Sequence, residues 1–125
     1  MGTFRYPIGV YDPEGKTKRE IQVLVDTGAT YAWIPRPILE ERGYWHSFKQ
    51  RLRLANGNII VRDGCEAVVE IAGARRTTVV IFGDPDSEAF LGAVTLEQFS
   101  LAPDPVTKRL TSVEALLMGF LSRPS

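Results

Sequence analysis

The sequence predicts a mainly β domain, a small barrel or sandwich carrying one or two short helices. Three observations carry that reading. Turn signals recur about every 8–12 residues. The segments between them are rich in β-branched and aromatic residues, and Ile21, Val23 and Val25 alternate with Gln22 and Leu24 to give one strongly apolar face. Asn56-Gly57 then stands between two strand-like runs, the strongest short-range hairpin signal.

The elements follow in order. Asp12-Pro13-Glu14-Gly15 is a turn between strands over Thr3–Tyr11 and Lys18–Val25. Pro35 and Pro37 break the segment after Trp33, and a short helix is expected over Ile38–Arg42, ending at Gly43. Leu52 and Leu54 alternate with Arg51, Arg53 and Ala55, and Ile59-Ile60-Val61 follows Asn56-Gly57, so a type I′ hairpin is expected. Ala67–Ile71 and Thr77–Phe82 are further strands joined by a turn containing Gly73, and Gly83-Asp84-Pro85-Asp86 is a loop. Val94–Phe99 reads as a helix of under two turns, and Leu101–Val113 as a hairpin about Asp104-Pro105. Glu114–Phe120 is apolar and fits helix or strand equally.

Composition bounds the function. A chain of 125 residues fits one domain, residues 1–125, and 44% hydrophobic with 24% charged residues places it among folded chains. Fifteen Lys plus Arg balance fifteen Asp plus Glu, so there is no electrostatic footprint for nucleic acid or an anionic membrane. The near-absence of net charge also permits self-association. The single cysteine, Cys65, excludes an internal disulfide framework, and with the single histidine, His46, it cannot build a His/Cys zinc site. No metal and no organic cofactor is expected. Residues 1–20 carry no charged start followed by an apolar run, and no apolar stretch approaches the roughly 20 residues of a membrane helix. The expectation is a soluble, cytoplasmic domain.

The chemistry concentrates in Val23-Leu24-Val25-Asp26-Thr27-Gly28-Ala29-Thr30, where an apolar strand delivers a carboxylate into a turn. The glycine admits a close backbone approach, and the threonine can hydrogen-bond neighbouring backbone. Asp, Thr and Gly all favour turns, and the tripeptide arises by chance in roughly one chain in forty of this length. Alone it carries little. Later in the chain, however, Ala89-Phe90-Leu91-Gly92-Ala93 brings an apolar pair and a glycine to the start of a short helix, with the Asn56-Gly57 hairpin between the two segments.

This combination resembles the retropepsin-like aspartic proteases, the group of the retroviral proteases and their small cellular relatives. The resemblance runs from about Glu20 to Leu101: Leu24–Ala29 matches the catalytic strand end, Leu54–Ile59 lies where the family's flap belongs, and Phe90-Leu91-Gly92 matches the later apolar-apolar-Gly element. It implies a small closed acid-protease barrel with a flap hairpin. It also implies an aspartic endopeptidase acting on extended peptides or protein substrates. Such chemistry uses two carboxylates sharing one proton, a property of aspartic-protease dyads as a class. Only Asp26 among the six aspartates lies in an Asp-Thr/Ser-Gly context, so one chain holds half a site and a two-fold homodimer is implied.

By the same resemblance, Asp26 is the catalytic carboxylate, and the Thr27 hydroxyl bonds backbone across the two-fold axis. The Gly28 carbonyl accepts the substrate, with Ala29 and Thr30 beside it. Asn56, Gly57 and Asn58 form the flap tip, and Gly92 permits close packing under the catalytic loop. Three departures stand out. Thr30-Tyr31 replaces the acidic residues usual after Ala29, Ala93 replaces the arginine that braces that acid, and the flap is less glycine-rich. The residues after the family's usual end include an apolar tail, either interfacial or packed on its own barrel.

The remaining residues have plainer readings. His46 reads as a surface or packing histidine, Cys65 as a buried thiol, and Arg75-Arg76 as an exposed turn. Lys49, Arg51 and Arg53 make one charged strand face, solvated or selecting acidic substrates. Trp33 and Trp45 fit pocket walls or core equally. Two alternatives to the protease stay open: a non-catalytic peptide-binding or protein-binding module on the same fold, and a highly restricted self-processing protease.

Overall fold

The computed structural model describes residues 3–113. Strands β1 (Phe4–Tyr11), β2 (Lys18–Val25) and β3 (Ala32–Pro35) precede helix α1 (Arg36–Glu41). Strands β4 (Phe48–Arg53), β5 (Ile59–Ile71), β6 (Ala74–Gly83) and β7 (Phe90–Leu91) follow, then helix α2 (Ala93–Gln98) and a hairpin of β8 (Leu101–Asp104) and β9 (Arg109–Ser112). The apolar tail Glu114–Phe120 lies outside the described residues.

A seven-stranded sheet runs in the order β1-β2-β7-β3-β6-β5-β4, and β1 also pairs with β5 through Gly9↔Glu70 and Val10↔Val69. The sheet therefore closes into a ring of strands, mostly antiparallel, with parallel pairing where β7 meets β2 and β3 meets β6. β4 stands at the end of that order with β5 as its partner. The expected alternation holds: Ile21, Val23 and Val25 are buried, while Gln22 is exposed and Leu24 half-buried. They meet Val10, Ile34, Leu39, Val80 and Leu91 in a core that is almost free of polar side chains.

Several boundaries differ from the sequence reading. Helix α1 begins at Arg36, not Ile38, because a proline lacks only an N–H that the first helical turn does not use; Pro37 sits in that turn. The helix closes at Gly43, whose φ of +94° lets its N–H reach Glu40 O while Tyr44 N–H reaches Leu39 O. The buried Tyr44 hydroxyl then donates to Tyr11 O at 2.7 Å and accepts from Val68 N–H at 3.0 Å, fastening this corner to β1 and β5.

β3 was hidden by its proline, and β5 is one strand of 13 residues where two runs were expected. Its turn-like Asp63-Gly64 continues the ladder opposite Lys49 and Phe48, and the Phe48 ring lies flat over Gly64, where a side chain would collide. The Asn56-Gly57 connection is a three-residue loop, not the two-residue type I′ turn. Gly57 N–H bonds Leu54 O at 2.9 Å and Leu54 N–H bonds Asn58 O at 2.8 Å. Only Gly57, at φ +87°, is left-handed, while Asn56 keeps negative φ and its Oδ1 accepts from Asn58 N–H at 2.9 Å. That is a type I turn closed by a glycine bulge.

Candidate active site

Asp26 stands where β2 ends, and backbone alone fixes it. β2 runs parallel to β7 in the register Leu24↔Phe90 and Val25↔Leu91. Leu24 N–H bonds Ala89 O at 2.8 Å, and Asp26 N–H bonds Leu91 O at 3.0 Å. The chain then turns: Ala29 N–H bonds Asp26 O at 3.0 Å, and Gly28 N–H reaches Asp26 Oδ1 at 2.9 Å. This last bond orients the carboxylate while leaving Oδ2 without a partner in the described chain.

Beneath the turn lies the start of α2. Ala93 N–H bonds Ala29 O and Val94 N–H bonds Thr30 O, each at 2.9 Å. Donors that a helix start leaves unused are thereby spent on the loop carbonyls. The approach is close enough to exclude any side chain at Gly92, where a Cβ would lie 2.5 Å from Tyr31 O and 2.7 Å from Ala29 O. The loop is thus held from below by main chain, in a protein whose Thr30-Tyr31 and Ala93 lack the acid–arginine brace.

Two cavities open on either side of Asp26. One, of about 440 Å³, is bordered by Asp26 and Gly28–Tyr31 on its floor, by Trp33 and Phe90, and by Arg51–Ala55 of β4 and the turn after it. The other, of about 400 Å³, is bordered by Thr3, Phe4, Val25, Asp26, Thr27, Gly28, Pro103 and Pro105. The structure therefore brings Asp26, Gly28, Ala29 and Thr30 to one groove and places Thr27 on the opposite flank. Thr27 and Gly28 are exposed, and the Thr27 hydroxyl makes no hydrogen bond within the described chain. Asn56, Gly57 and Asn58 are exposed at the hairpin tip and do not border the groove; Leu54 and Ala55 do.

Tyr31 and Phe90 were not singled out as groove residues from sequence, although each adjoins a motif that was. Trp33, open between pocket and core, is half-buried in the groove wall, with the Arg62 guanidinium 5.9 Å from its ring centre and paired to Asp84. Trp45 belongs to neither place, being 70% exposed.

Charge gathers at the base of the β4–β5 hairpin. The Asp63 carboxylate is met by Arg36 at 2.6 Å, Lys49 at 2.8 Å and His46 at 3.9 Å. Lys49 and Arg36 together hold Asp63 down to about 2. Burial pushes the Cys65 thiol up to about 12, so it is protonated and unreactive at neutral pH. No group of three His, Cys, Asp or Glu suited to a metal ion occurs among the described residues, and no helix there is long and apolar enough to cross a membrane.

Among solved structures, the protease of simian foamy virus (mac) matches 79% of this chain and 100% of its own at a TM-score of 0.52 and 15% identity. A retropepsin-like aspartic protease from Rickettsia conorii matches 82% of this chain and 88% of its own at 0.53 and 19%. The fold is retropepsin-like. The foamy viral protease-reverse transcriptase, solved with an RNA/DNA hybrid, aligns with 83% of this chain over 14% of its own length, at 0.57 and 14%. No protein-family model and no curated protein matches the chain by sequence. At these identities the retropepsin likeness concerns the overall architecture.

Proposed function

We propose that the chain is an aspartic endopeptidase that hydrolyses extended peptides as a homodimer, with one Asp26 from each copy. The observation that carries this reading is the placement of Asp26 in a retropepsin-like ring. Its carboxylate is oriented by Gly28 N–H at the floor of a groove whose opposite wall is formed by Arg51–Ala55 of the β4–β5 hairpin. The half-buried Asp26 carboxylate stands outside the apolar core, and main-chain bonds to Leu91, Ala93 and Val94 hold its turn.

One carboxylate cannot do the chemistry alone. In the pair, the ionised Asp26 takes a proton from a water whose oxygen attacks the peptide carbonyl carbon. The protonated Asp26 gives its proton to the carbonyl oxygen, and the resulting diol collapses as a proton passes to the leaving nitrogen. The second cavity, on the Thr27 flank, is where the partner's turn fits, and the unpartnered Thr27 hydroxyl is the donor that would bind it. Gly28 to Thr30 line the groove as backbone for an added substrate strand; Asn56–Asn58, outside the groove in this structure, would move over it as a flap when substrate binds. Gly92 is a positioning residue under the loop.

The test is cleavage of a diverse peptide mixture by the purified chain between pH 4 and 8, beside Asp26→Asn. The expected result is cleavage by the unmodified chain, abolished in the variant. Equal cleavage by both contradicts the proposal. Binding of peptides without cleavage by a confirmed dimer selects the non-catalytic module.

A further inference from the structure

The groove wall opposite Asp26 carries more information than its apolar lining. Five consecutive residues, Arg51 to Ala55, border one cavity. Successive strand residues point to opposite faces, so the β4 part of this run can border a single cavity only along its edge. β4 is also the terminal strand of its sheet, with its second hydrogen-bonding edge unpaired among the described residues. An extended peptide entering the groove meets that edge, and its side chains must then alternate as those of β4 do.

The two rows of β4 differ sharply. Phe48, Gln50 and Leu52 are half-buried, whereas Lys49, Arg51 and Arg53 are exposed. Within the charged row, Lys49 is already neutralised by Asp63 at 2.8 Å. Arg51 and Arg53 form no ion pair among the described residues; Arg53 makes one long contact, 3.5 Å, to Gly57 O. Across the ladder they face Val61 and Ile59, both exposed, so no carboxylate stands directly opposite either. In a chain whose formal charges balance, two unpaired guanidinium groups at a substrate edge are a local positive excess.

We propose that Arg51 and Arg53 select acidic side chains at alternate positions of the bound peptide, while the intervening positions take apolar side chains against Leu52, Trp33 and Phe90. This rests on the reading of the groove as a peptide site. The substrate class is thus an extended segment alternating acidic and apolar residues. In a homodimer the second hairpin repeats the preference on the other side of the scissile bond.

The test separates binding from catalysis. Fluorescein-labelled decapeptides alternating Leu with Glu, Gln or Lys are titrated into the Asp26→Asn chain, so that no probe is consumed, and read by anisotropy. The Glu peptide is expected to bind about fivefold or more tightly than the Gln peptide at low salt, a margin of the size two exposed charge pairs supply. The margin should shrink at high salt. Arg51→Gln/Arg53→Gln should abolish the difference, and Arg51→Glu/Arg53→Glu should invert it in favour of the Lys peptide, which a merely misfolded variant would not do. Equal binding of the three peptides, no binding of any, or a preference untouched by the double substitutions overturns the proposal. If the acid preference appears but the unmodified chain cleaves none of the peptides, the selectivity stands and the protease reading falls.

Discussion

At the scale of single residues, the site is held by main chain. Ala93 and Val94 N–H groups grip the carbonyls of Ala29 and Thr30, so this loop keeps its shape without an arginine beneath it. The glycine that allows the grip is correspondingly intolerant. A Cβ at Gly92 would lie 2.5 Å from Tyr31 O and 2.8 Å from Thr30 C, both backbone atoms that cannot swing aside. Gly92→Ala should therefore cost about 1–3 kcal/mol, the range for overpacking a tight interior, and lower any activity further by displacing the turn that bears Asp26. Urea unfolding of the variant is the check; an unchanged midpoint would mean that the loop has room that the geometry denies.

At the scale of elements, the β4–β5 hairpin is anchored by charge at its base and free at its tip. Asp63 gathers Lys49 from β4 and Arg36 from α1, and these cations hold its carboxyl at about 2, below the ordinary 3.8. Because the folded value is depressed, the stabilisation is fully present above about 3.8 and is lost as pH falls through the range down to about 2. Urea midpoints taken from pH 6 to 2 should thus fall more steeply for the unmodified chain than for Asp63→Asn, the gap closing at the acidic end. Parallel curves would show that Asp63 does not couple these elements.

Legibility from sequence also divides at this scale. Strands with one buried face, such as Ile21–Val25, declare themselves through alternation, and the Asp26 turn stood out because a carboxylate, a hydroxyl and a glycine end an apolar strand. β3 did not, because Pro35 reads as a breaker although it closes a parallel strand and opens α1. β5 was cut in two because Asp63-Gly64 looks like a turn until Arg36, Lys49 and the ring of Phe48 are known to cover it, contacts distant in sequence. Arg51–Ala55 were visible as a charged alternation, but only the sheet order shows that their edge borders Asp26.

At the scale of the whole molecule, one ring of strands presents a single Asp26 between two cavities, a groove walled by Arg51–Ala55 on one side and a recess on the Thr27 side. In the proposed protease the recess is filled by a second copy, which supplies the other carboxylate. Mixing tests this most directly. Peptide cleavage by a fixed amount of the unmodified chain is followed as Asp26→Asn is added, at concentrations where light scattering shows dimers throughout. If two Asp26 residues from two chains make one site, mixed dimers are inactive, and an equimolar addition should lower the rate to about half. A rate that stays constant as the variant is added would contradict the shared site and return the chemistry to a single chain.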